Sequence, residues 1–167
     1  MNAALLTVGD EILAGDTTNT NATWLAEQLA NRGVSVKRVL TVPDEVSIIA
    51  DATRRYNDAF DAVIVTGGLG GTHDDVTMAG VASAFDRDLV ANDLAMTDIE
   101  RTLEGLTEEY PDLDVDVEAE AAIPEGARPL LNQAGLSPGC VLEHVHVLPG
   151  IPSEMRRMFE DIADSFD

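Results

Sequence analysis

Short apolar runs alternate with amphipathic helical patterns along most of the chain. The clearest run, Ala62–Thr66, is continuous and β-branched, as buried parallel strands tend to be. Leu5–Val8 and Val34–Val42 are predicted to be two further strands, and Val141–Leu148 a hairpin or a pair of strands. Strands that alternate with helices build a parallel sheet covered by helices on both faces. The pattern therefore predicts an α/β fold with a mostly parallel sheet.

The predicted helices follow from the spacing of apolar residues and from helix start signals. They run from about Ala22 to Arg32, from Pro43-Asp44-Glu45 with Asp44 as the N-cap, over the stripe from Met78 to Phe85, over Asp93–Leu106, and from Pro152 onward. The acidic segment Glu108–Glu120 is predicted to be a solvated edge or a mobile loop. Because no repeat and no linker is visible, residues 1–167 are expected to form one domain.

Negative charge dominates the composition. The 31 acidic residues outnumber the 10 basic ones, the formal net charge is −21, and Lys37 is the only lysine. Such a charge destabilises a compact fold unless salt screens it, so we expect halophilic adaptation of haloarchaeal type rather than an ordinary acidic protein. The charge also argues against nucleic acid, whose phosphates attract basic surfaces. No apolar run reaches the roughly 20 residues of a membrane helix, and no basic region precedes Ala3–Val8 as in a signal peptide, so we expect a cytoplasmic protein.

The loop after the first predicted strand carries two adjacent carboxylates. Its sequence is Gly9-Asp10-Glu11-Ile12-Leu13-Ala14-Gly15-Asp16, and Asn19-Thr20-Asn21 follows. In open α/β sheets, ligands bind beyond the carboxyl ends of the strands, where such carboxylates hold a metal ion or position water. A turn followed by a helix N-terminus also favours Asp and Asn. Both interpretations remain open for this loop alone.

The loop after the third predicted strand is rich in glycine. Four of the five residues from Gly67 to Gly71 are glycine, so the backbone can approach a ligand closely and expose N–H groups to an anion. A helix is predicted to begin just afterwards and adds its positive dipole end. The paired Asp74 and Asp75 suit Mg²⁺, which binds carboxylates together with substrate phosphates, although either could instead cap the helix. The run is neither a P-loop nor a dinucleotide fingerprint.

A third loop, Leu148–Met155, again places a glycine between a strand and a helix start. Taken alone, it is typical of a simple strand-to-helix turn. His144 and His146 are expected on a polar edge face of a strand, because no third metal ligand accompanies them. Cys140 has no basic neighbour in sequence to activate it, and we expect a packed thiol.

In this order, the loops resemble the molybdopterin-binding domain shared by CinA-like proteins and the MoaB/Mog family. The residues that carry the resemblance are Val8-Gly9-Asp10-Glu11-Ile12-Leu13-Ala14-Gly15, Asn19-Thr20-Asn21, Thr66-Gly67-Gly68-Leu69-Gly70, Thr72-His73-Asp74-Asp75-Val76-Thr77, Ile123-Pro124-Glu125-Gly126-Ala127, Asn132, Pro138-Gly139, Leu148-Pro149-Gly150-Ile151-Pro152 and Glu154-Met155. They span nearly the whole chain and are most similar to the CinA-like branch.

The resemblance implies a three-layer α/β/α fold, a pocket for a pterin or a nucleotide phosphate, and a homo-oligomer, either a dimer or a trimer. CinA-like domains are associated with metal-dependent hydrolysis of ADP-ribose and related pyrophosphates. By that analogy, Asp10 and Asp75 are the expected catalytic residues and the expected ligands of Mg²⁺ or another divalent metal. The expected contacts to phosphate or ligand are Gly67, Gly68, Gly70, Thr72, Asp74, Pro149 and Gly150.

The chain departs from the family pattern at a few positions. Gly71 replaces a usual proline, and Leu136 a usual threonine. Molybdopterin adenylyltransferases typically carry Thr in place of Leu69 and Arg in place of Asp74, and losing that arginine removes a phosphate partner. Because the sequence ends soon after the last predicted helix, the deamidase domain of full-length CinA proteins is not expected. Three functions stay open: a Mg²⁺-dependent pyrophosphatase, a non-catalytic module that binds molybdopterin or a nucleotide, and, least favoured, an adenylyltransferase.

Overall fold

A computed structural model describes every residue from Met1 to Asp167. Its eight strands are β1 (Asn2–Val8), β2 (Ser35–Val42), β3 (Ala62–Thr66), β4 (Leu89–Ala91), β5 (Ala122–Pro124), β6 (Arg128–Leu130), β7 (Gly139–Leu142) and β8 (Val145–Leu148). Its seven α-helices are α1 (Asp10–Leu13), α2 (Thr20–Ala30), α3 (Val46–Ala59), α4 (Thr77–Ala84), α5 (Asp93–Leu106), α6 (Val117–Glu120) and α7 (Pro152–Ile162), and a 3₁₀ turn, Ala163–Phe166, follows.

The central sheet has six strands in the order β2-β1-β3-β8-β7-β6. The pairings of β1 with β2 and β3, and of β3 with β8, are parallel, whereas β7 pairs antiparallel with both β8 and β6. The predicted α/β fold with a mostly parallel sheet is therefore confirmed. The predicted hairpin at residues 141–148 is confirmed as well, because β7 and β8 are joined by a two-residue turn.

Alternation along the strands builds a core on each face of the sheet. Leu5 of β1 and Ile64 of β3 point to the core that α2 and α7 cover, together with Leu25 and Phe159. The next residue along each strand points to the opposite face of the sheet. A second core lies there, in which Ile49 of α3 packs with α4. Since successive side chains of a strand point to opposite faces, the two cores are separate. The result is the three-layer arrangement that the resemblance implies.

A smaller lobe stands beside the sheet. It consists of the two-stranded antiparallel sheet of β4 and β5 together with α5 and α6, around a small core of Ala95, Ile99 and Ala121. The sequence pattern did not predict this sheet. Helix α6 lies inside the segment that we expected to be an edge or a loop, and the Asp116 side chain caps it by accepting from the N–H of Ala119 at 3.2 Å.

Several predictions about helix starts and the histidines are wrong. Helix α3 begins at Val46 after Glu45, and Asp44 does not cap it. Neither Asp74 nor Asp75 caps α4, which follows Val76 without a side-chain cap. His146 lies on a central strand and is only 6% exposed, so the expected polar edge face does not exist. Burial lowers the pKa of His146, which keeps the ring neutral beside Phe166.

None of the helices combines the length and the apolar character that crossing a membrane requires.

Candidate functional site

The candidate site lies at one edge of the sheet, where four parallel strands end side by side. These strands lie in the order β2, β1, β3, β8. The strand that follows β1 in the chain, β2, lies on one side of β1, whereas the later strand β8 lies on the far side of β3. Ligands of open α/β sheets bind at such a switch point, beyond the carboxyl ends of the strands. A cleft of about 450 Å³, here called the central cleft, opens at this point. Its walls come from the ends of β1, β3 and β8 and from the start of α2.

Gly67, the residue after β3, packs closely against the chain at the ends of β1 and β8. Its φ of +93° is in the left-handed region, and a Cβ placed on it would lie 2.3 Å from the carbonyl oxygen of Val8. The neighbouring loop is just as close, since a Cβ on Gly150 would lie 3.1 Å from the Cα of Gly67. The N–H of Gly67 donates to the carbonyl of Leu148 at 3.2 Å. Gly67 therefore lines the cleft but has no free N–H to offer a phosphate.

The next three residues do offer N–H groups. Gly68, Leu69 and Gly70 line the central cleft, and none of their N–H groups takes part in a backbone hydrogen bond of the protein. Consecutive free N–H groups in a glycine-rich turn form a concave site for an anion. The glycine-rich loop therefore lies beside the central cleft, and its free N–H groups begin at Gly68 rather than at Gly67.

Two helix N-termini add partial positive charge at the central cleft. Thr20 and Asn21, which begin α2, and Pro152, which begins α7, all line it. The two ends are tied together, because Asn21 Nδ2 donates to the carbonyl of Gly150 at 2.8 Å. Asn19 fixes the start of α2, since its side chain accepts from the N–H of Ala22 and donates to Thr7 Oγ1. Helix N-termini attract anions through their free N–H groups and their dipole.

Asp75 is the carboxylate at the centre of the site. Its Oδ2 accepts hydrogen bonds from the Thr72 N–H at 3.2 Å and from Thr72 Oγ1 at 2.7 Å. The half-buried Asp75 lines the central cleft and three neighbouring depressions of the surface. The bonds from Thr72 engage one carboxylate oxygen only, and the other remains available to a ligand.

A second group of carboxylates lies where β1 and β2 end. The N–H of Asp10 donates to Asp44 Oδ2, and the N–H of Asp44 donates to Asp10 Oδ1, each at 3.1 Å. These residues, with Glu11, Asp74 and Asp75, line a depression of about 520 Å³, here called the acidic recess. Burial raises the pKa of Asp44, and repulsion from Asp10, Glu11 and Asp75 raises it further against the lowering effect of the Asp10 N–H.

No basic side chain lines the central cleft or the acidic recess. The mutual repulsion of the carboxylates would be relieved by a cation, and their hard oxygen donors suit Mg²⁺. The structure contains no group of three or more His, Cys, Asp or Glu side chains arranged to hold a metal ion. A magnesium site completed by substrate phosphates needs only one or two carboxylates. The donor set of Asp10 and Asp75 therefore fits a cation that arrives with a phosphate ligand.

A larger depression of about 690 Å³, here called the side cleft, adjoins the central cleft at Gly70 and Asp75. Leu106, Val115 and Leu136 contribute apolar surface, and Glu120 and Glu154 contribute carboxylates.

One buried amide holds the wall of the side cleft. Asn132 is 3% exposed, and its Nδ2 donates to Glu154 Oε1 at 2.6 Å and to the carbonyl of Ser137 at 2.9 Å. Ser137 in turn donates to Glu120 through its hydroxyl group. These bonds fix the loop that contains Ser137 against α7 and α6, so two carboxylates of the side cleft are held in place.

The structure brings most of the predicted site residues together, with two exceptions. Thr72 lines the side cleft rather than the central one. Pro149 is buried and lines neither, and its neighbours Gly150 and Pro152 form the wall instead. Asp74 lies at the rim of the acidic recess with an 82% exposed side chain, 3.6 Å from His73 Nε2.

The predicted site residues did not include Glu11, Asn21 or Asp44. Asp44 follows a predicted strand directly, so the same strand-end rule that selected Asp10 would have found it.

Comparison with known proteins extends this account. The family described as "Probable molybdopterin binding domain" matches residues 4–166. A protein of Archaeoglobus fulgidus is 41% identical over 167 residues, which are 100% of this chain and 69% of that protein. A CinA-like protein of Frankia casuarinae is 40% identical over 95% of this chain but only 38% of its own length. The chain thus spans about two thirds or less of these relatives.

Solved structures share the fold. The protein CinA of Thermoplasma acidophilum, described as having unknown function, superposes with a TM-score of 0.87 at 34% identity and covers 99% of both chains. The molybdopterin biosynthesis enzyme MoaB of Thermus thermophilus superposes with a TM-score of 0.65 at 22% identity, over 98% of this chain and 89% of that one. The similarity to the Thermus thermophilus MoaB shows a shared fold only.

Proposed function

The chain belongs to the family of probable molybdopterin binding domains, and we propose that its central cleft binds the phosphate groups of a pterin or nucleotide together with Mg²⁺. One observation carries this proposal. Free N–H groups at Gly68–Gly70 and two helix N-termini face a cleft that has no basic side chain, while carboxylates line the adjoining recess. This arrangement suits a phosphate that shares its charge with a divalent cation.

The N–H groups and the carboxylates have separate tasks. The glycine-loop N–H groups and the N-terminus of α7 donate to phosphate oxygens at contact distance, where the remote negative charge of the surface matters little. That charge is screened beyond roughly 3 Å at 1 M salt. Asp10 and Asp75, which both line the acidic recess, would hold the cation. When bound, Mg²⁺ neutralises phosphate charge and lowers the pKa of a bound water.

The side cleft suits the ring of the same ligand. Its apolar residues, Leu106, Val115 and Leu136, offer surface to a flat heterocycle. Glu120 and Glu154 are acceptors at its edge, and pterins and purines both carry N–H donors. Because the two clefts meet at Gly70 and Asp75, one ligand can place its phosphates in the central cleft and its ring in the side cleft.

Hydrolysis of a pyrophosphate bond is the reaction that this site supports best. Water attacks one phosphorus atom, the bond from that phosphorus to the bridging oxygen breaks, and the leaving phosphate takes the bridging oxygen. With ADP-ribose the products are AMP and ribose phosphate. Asp75, whose carboxylate accepts from Thr72, lines the central cleft, the side cleft and the acidic recess. We assign it the positioning of cation and water.

An activity assay tests this assignment. The protein is incubated at high KCl with Mg²⁺ and, separately, with ADP-ribose, FAD or ATP, and AMP is measured by chromatography. We expect AMP from ADP-ribose or FAD, and loss of that activity in Asp75→Asn with the fold intact. Asp51→Asn, which removes the same charge from a 76% exposed side chain on α3, should retain it. Undiminished turnover in Asp75→Asn would contradict the role assigned to Asp75.

A non-catalytic binding module is the second candidate. It needs only the free N–H groups of Gly68–Gly70 and the helix N-termini at the central cleft, which bind a phosphate whether or not the ligand reacts. It predicts saturable binding of a nucleotide or pterin without product, and steady release of AMP would refute it. Adenylyl transfer to molybdopterin has no such observation in its favour. Its signature would be incorporation of AMP from ATP.

A further inference from the structure

Two carboxylates differ in position from the others near the proposed site. The acidic recess is lined by six acidic residues, Asp10, Glu11, Asp16, Asp44, Asp74 and Asp75. Of these six, only Glu11 and Asp75 also line the central cleft, beside the free N–H groups of the glycine loop. A cation that contacts both a phosphate in the central cleft and a carboxylate of the recess therefore lies at the boundary that Glu11 and Asp75 share.

The Glu11 carboxylate is free to bind a ligand. Asp10 and Asp75 each have one oxygen engaged, by the N–H of Asp44 and by Thr72 respectively, whereas the Glu11 side chain takes part in no hydrogen bond or ion pair of the structure. Both oxygens of Glu11 are thus available, and oxygen donors of this kind suit Mg²⁺.

A glycine makes room for each of the two boundary carboxylates. A Cβ built on Gly9 would lie 2.7 Å from Glu11 Oε1 and 3.0 Å from Oε2, and a Cβ on Gly70 would overlap the Asp75 carboxylate. The backbone requires neither glycine, because Gly9 has an extended φ of 167° and Gly70 has no left-handed φ. The space that the missing side chains leave is filled by the two carboxylates, which are thereby held against the loops of the site.

We propose that Glu11 is a ligand of the cation and pairs with Asp75 at the boundary between the central cleft and the acidic recess. This role of Glu11 rests on the proposed function and adds a residue to it. Two carboxylates, phosphate oxygens and water complete a magnesium shell, so no preformed group of three side chains is needed, and the structure has none. Asp10, which lines the recess but not the central cleft, adds its charge from the recess side.

Binding of Mn²⁺, which accepts the same oxygen ligands as Mg²⁺, tests the proposal without relying on turnover. The full chain is titrated at high KCl, with and without the α,β-methylene analogue of ADP, and free Mn²⁺ is measured by its EPR signal. Glu11→Gln should raise the Mn²⁺ dissociation constant in the presence of the analogue by at least about tenfold, since losing a mere outer-shell partner of a metal ligand costs about 10–100-fold. Asp16→Asn, which removes one charge from the recess but none from the central cleft, should raise it much less.

Gly9→Ala tests the position of the Glu11 carboxylate while every charge is kept. The added Cβ would meet only the end of the flexible Glu11 side chain, so the fold should persist and the carboxylate should move. The affinity for Mn²⁺ should fall, although less than in Glu11→Gln. Gly105→Ala, on α5 where a Cβ would meet nothing within 4 Å, should leave the affinity unchanged.

Failure of this role can be distinguished from failure of the proposed function. If the wild-type protein bound Mn²⁺ no more tightly with the analogue than without it, the shared site for phosphate and cation would be overturned, and the role of Glu11 with it. If the analogue strengthened Mn²⁺ binding but Glu11→Gln lost no more affinity than Asp16→Asn, with both variants folded by thermal melting, only the role of Glu11 would be overturned. An affinity in Gly9→Ala equal to that in Gly105→Ala would overturn the placement of the carboxylate by Gly9.

Discussion

Replacement of Gly67 by alanine should destabilise the fold severely. A φ of +93° in the left-handed region costs an L-residue about 1–2 kcal/mol. The added Cβ would lie 2.3 Å from the Val8 carbonyl oxygen, which is backbone at the end of a central strand and cannot turn aside. Overpacking of this kind costs about 1–3 kcal/mol. The two terms together predict a loss of about 2–5 kcal/mol in the free energy of unfolding.

Gly15→Ala is the matched control for this substitution. Gly15 has a similar φ of +80°, but a Cβ built on it would meet nothing within 4 Å. It should therefore lose only the conformational part, about 1–2 kcal/mol. Urea unfolding at constant high KCl measures both variants, and equal slopes would show that the shifts in midpoint can be compared directly as changes in stability. If Gly67→Ala lost no more stability than Gly15→Ala, the close packing of strand ends at Gly67 would be refuted.

Three further predictions follow from the buried or crowded titratable groups. Because burial lowers the pKa of His146 in the folded protein, the unfolded chain binds more protons below its ordinary value of about 6.5. The free energy of unfolding should therefore fall as the pH drops below that value. His146→Gln should lack this part of the pH dependence, and an unchanged pH profile would contradict the assignment. The raised pKa of Asp44 has the opposite sign, since its contribution to stability is present at low pH and is lost as the carboxyl ionises. Asp44→Asn should therefore stabilise the protein at neutral pH in EDTA and reduce the stabilisation gained from Mg²⁺, as measured by thermal melting; a destabilised variant would count against the repulsion argument. Burial raises the pKa of Cys140 to about 12, so a thiol reagent at mildly alkaline pH should label the protein only after unfolding in urea, and rapid labelling of the folded protein would disprove the packed-thiol account.

Much of the central sheet could be predicted because its strands have strong local patterns. Ala62–Thr66 was predicted with the bounds it has as β3, since a continuous β-branched run between polar turns has few alternatives. Strand β1 starts earlier than predicted, at Asn2, because pairing with β2 extends into a segment with no pattern of its own. Strand β4 was missed because three residues followed by a helix N-cap carry no periodicity.

The candidate site was predicted in outline for a physical reason. Loops that follow neighbouring parallel strands meet at one edge whatever the rest of the chain does. Contacts between these loops could not be read from the sequence. The reciprocal bonds between Asp10 and Asp44 depend on which strand neighbours β1, and the occupation of the Gly67 N–H by Leu148 depends on the pairing of β3 with β8.

The central claim is that backbone N–H groups of the glycine loop, rather than basic side chains, receive the phosphates. The most direct test is a titration of ¹⁵N-labelled protein with the α,β-methylene analogue of ADP at high KCl and fixed Mg²⁺, followed by two-dimensional NMR. The amide signals of Gly68, Leu69 and Gly70 should shift to saturation, whereas that of Gly67, already bonded to Leu148, should shift less. Binding that leaves the Gly68–Gly70 signals in place while shifting signals elsewhere would contradict the claim.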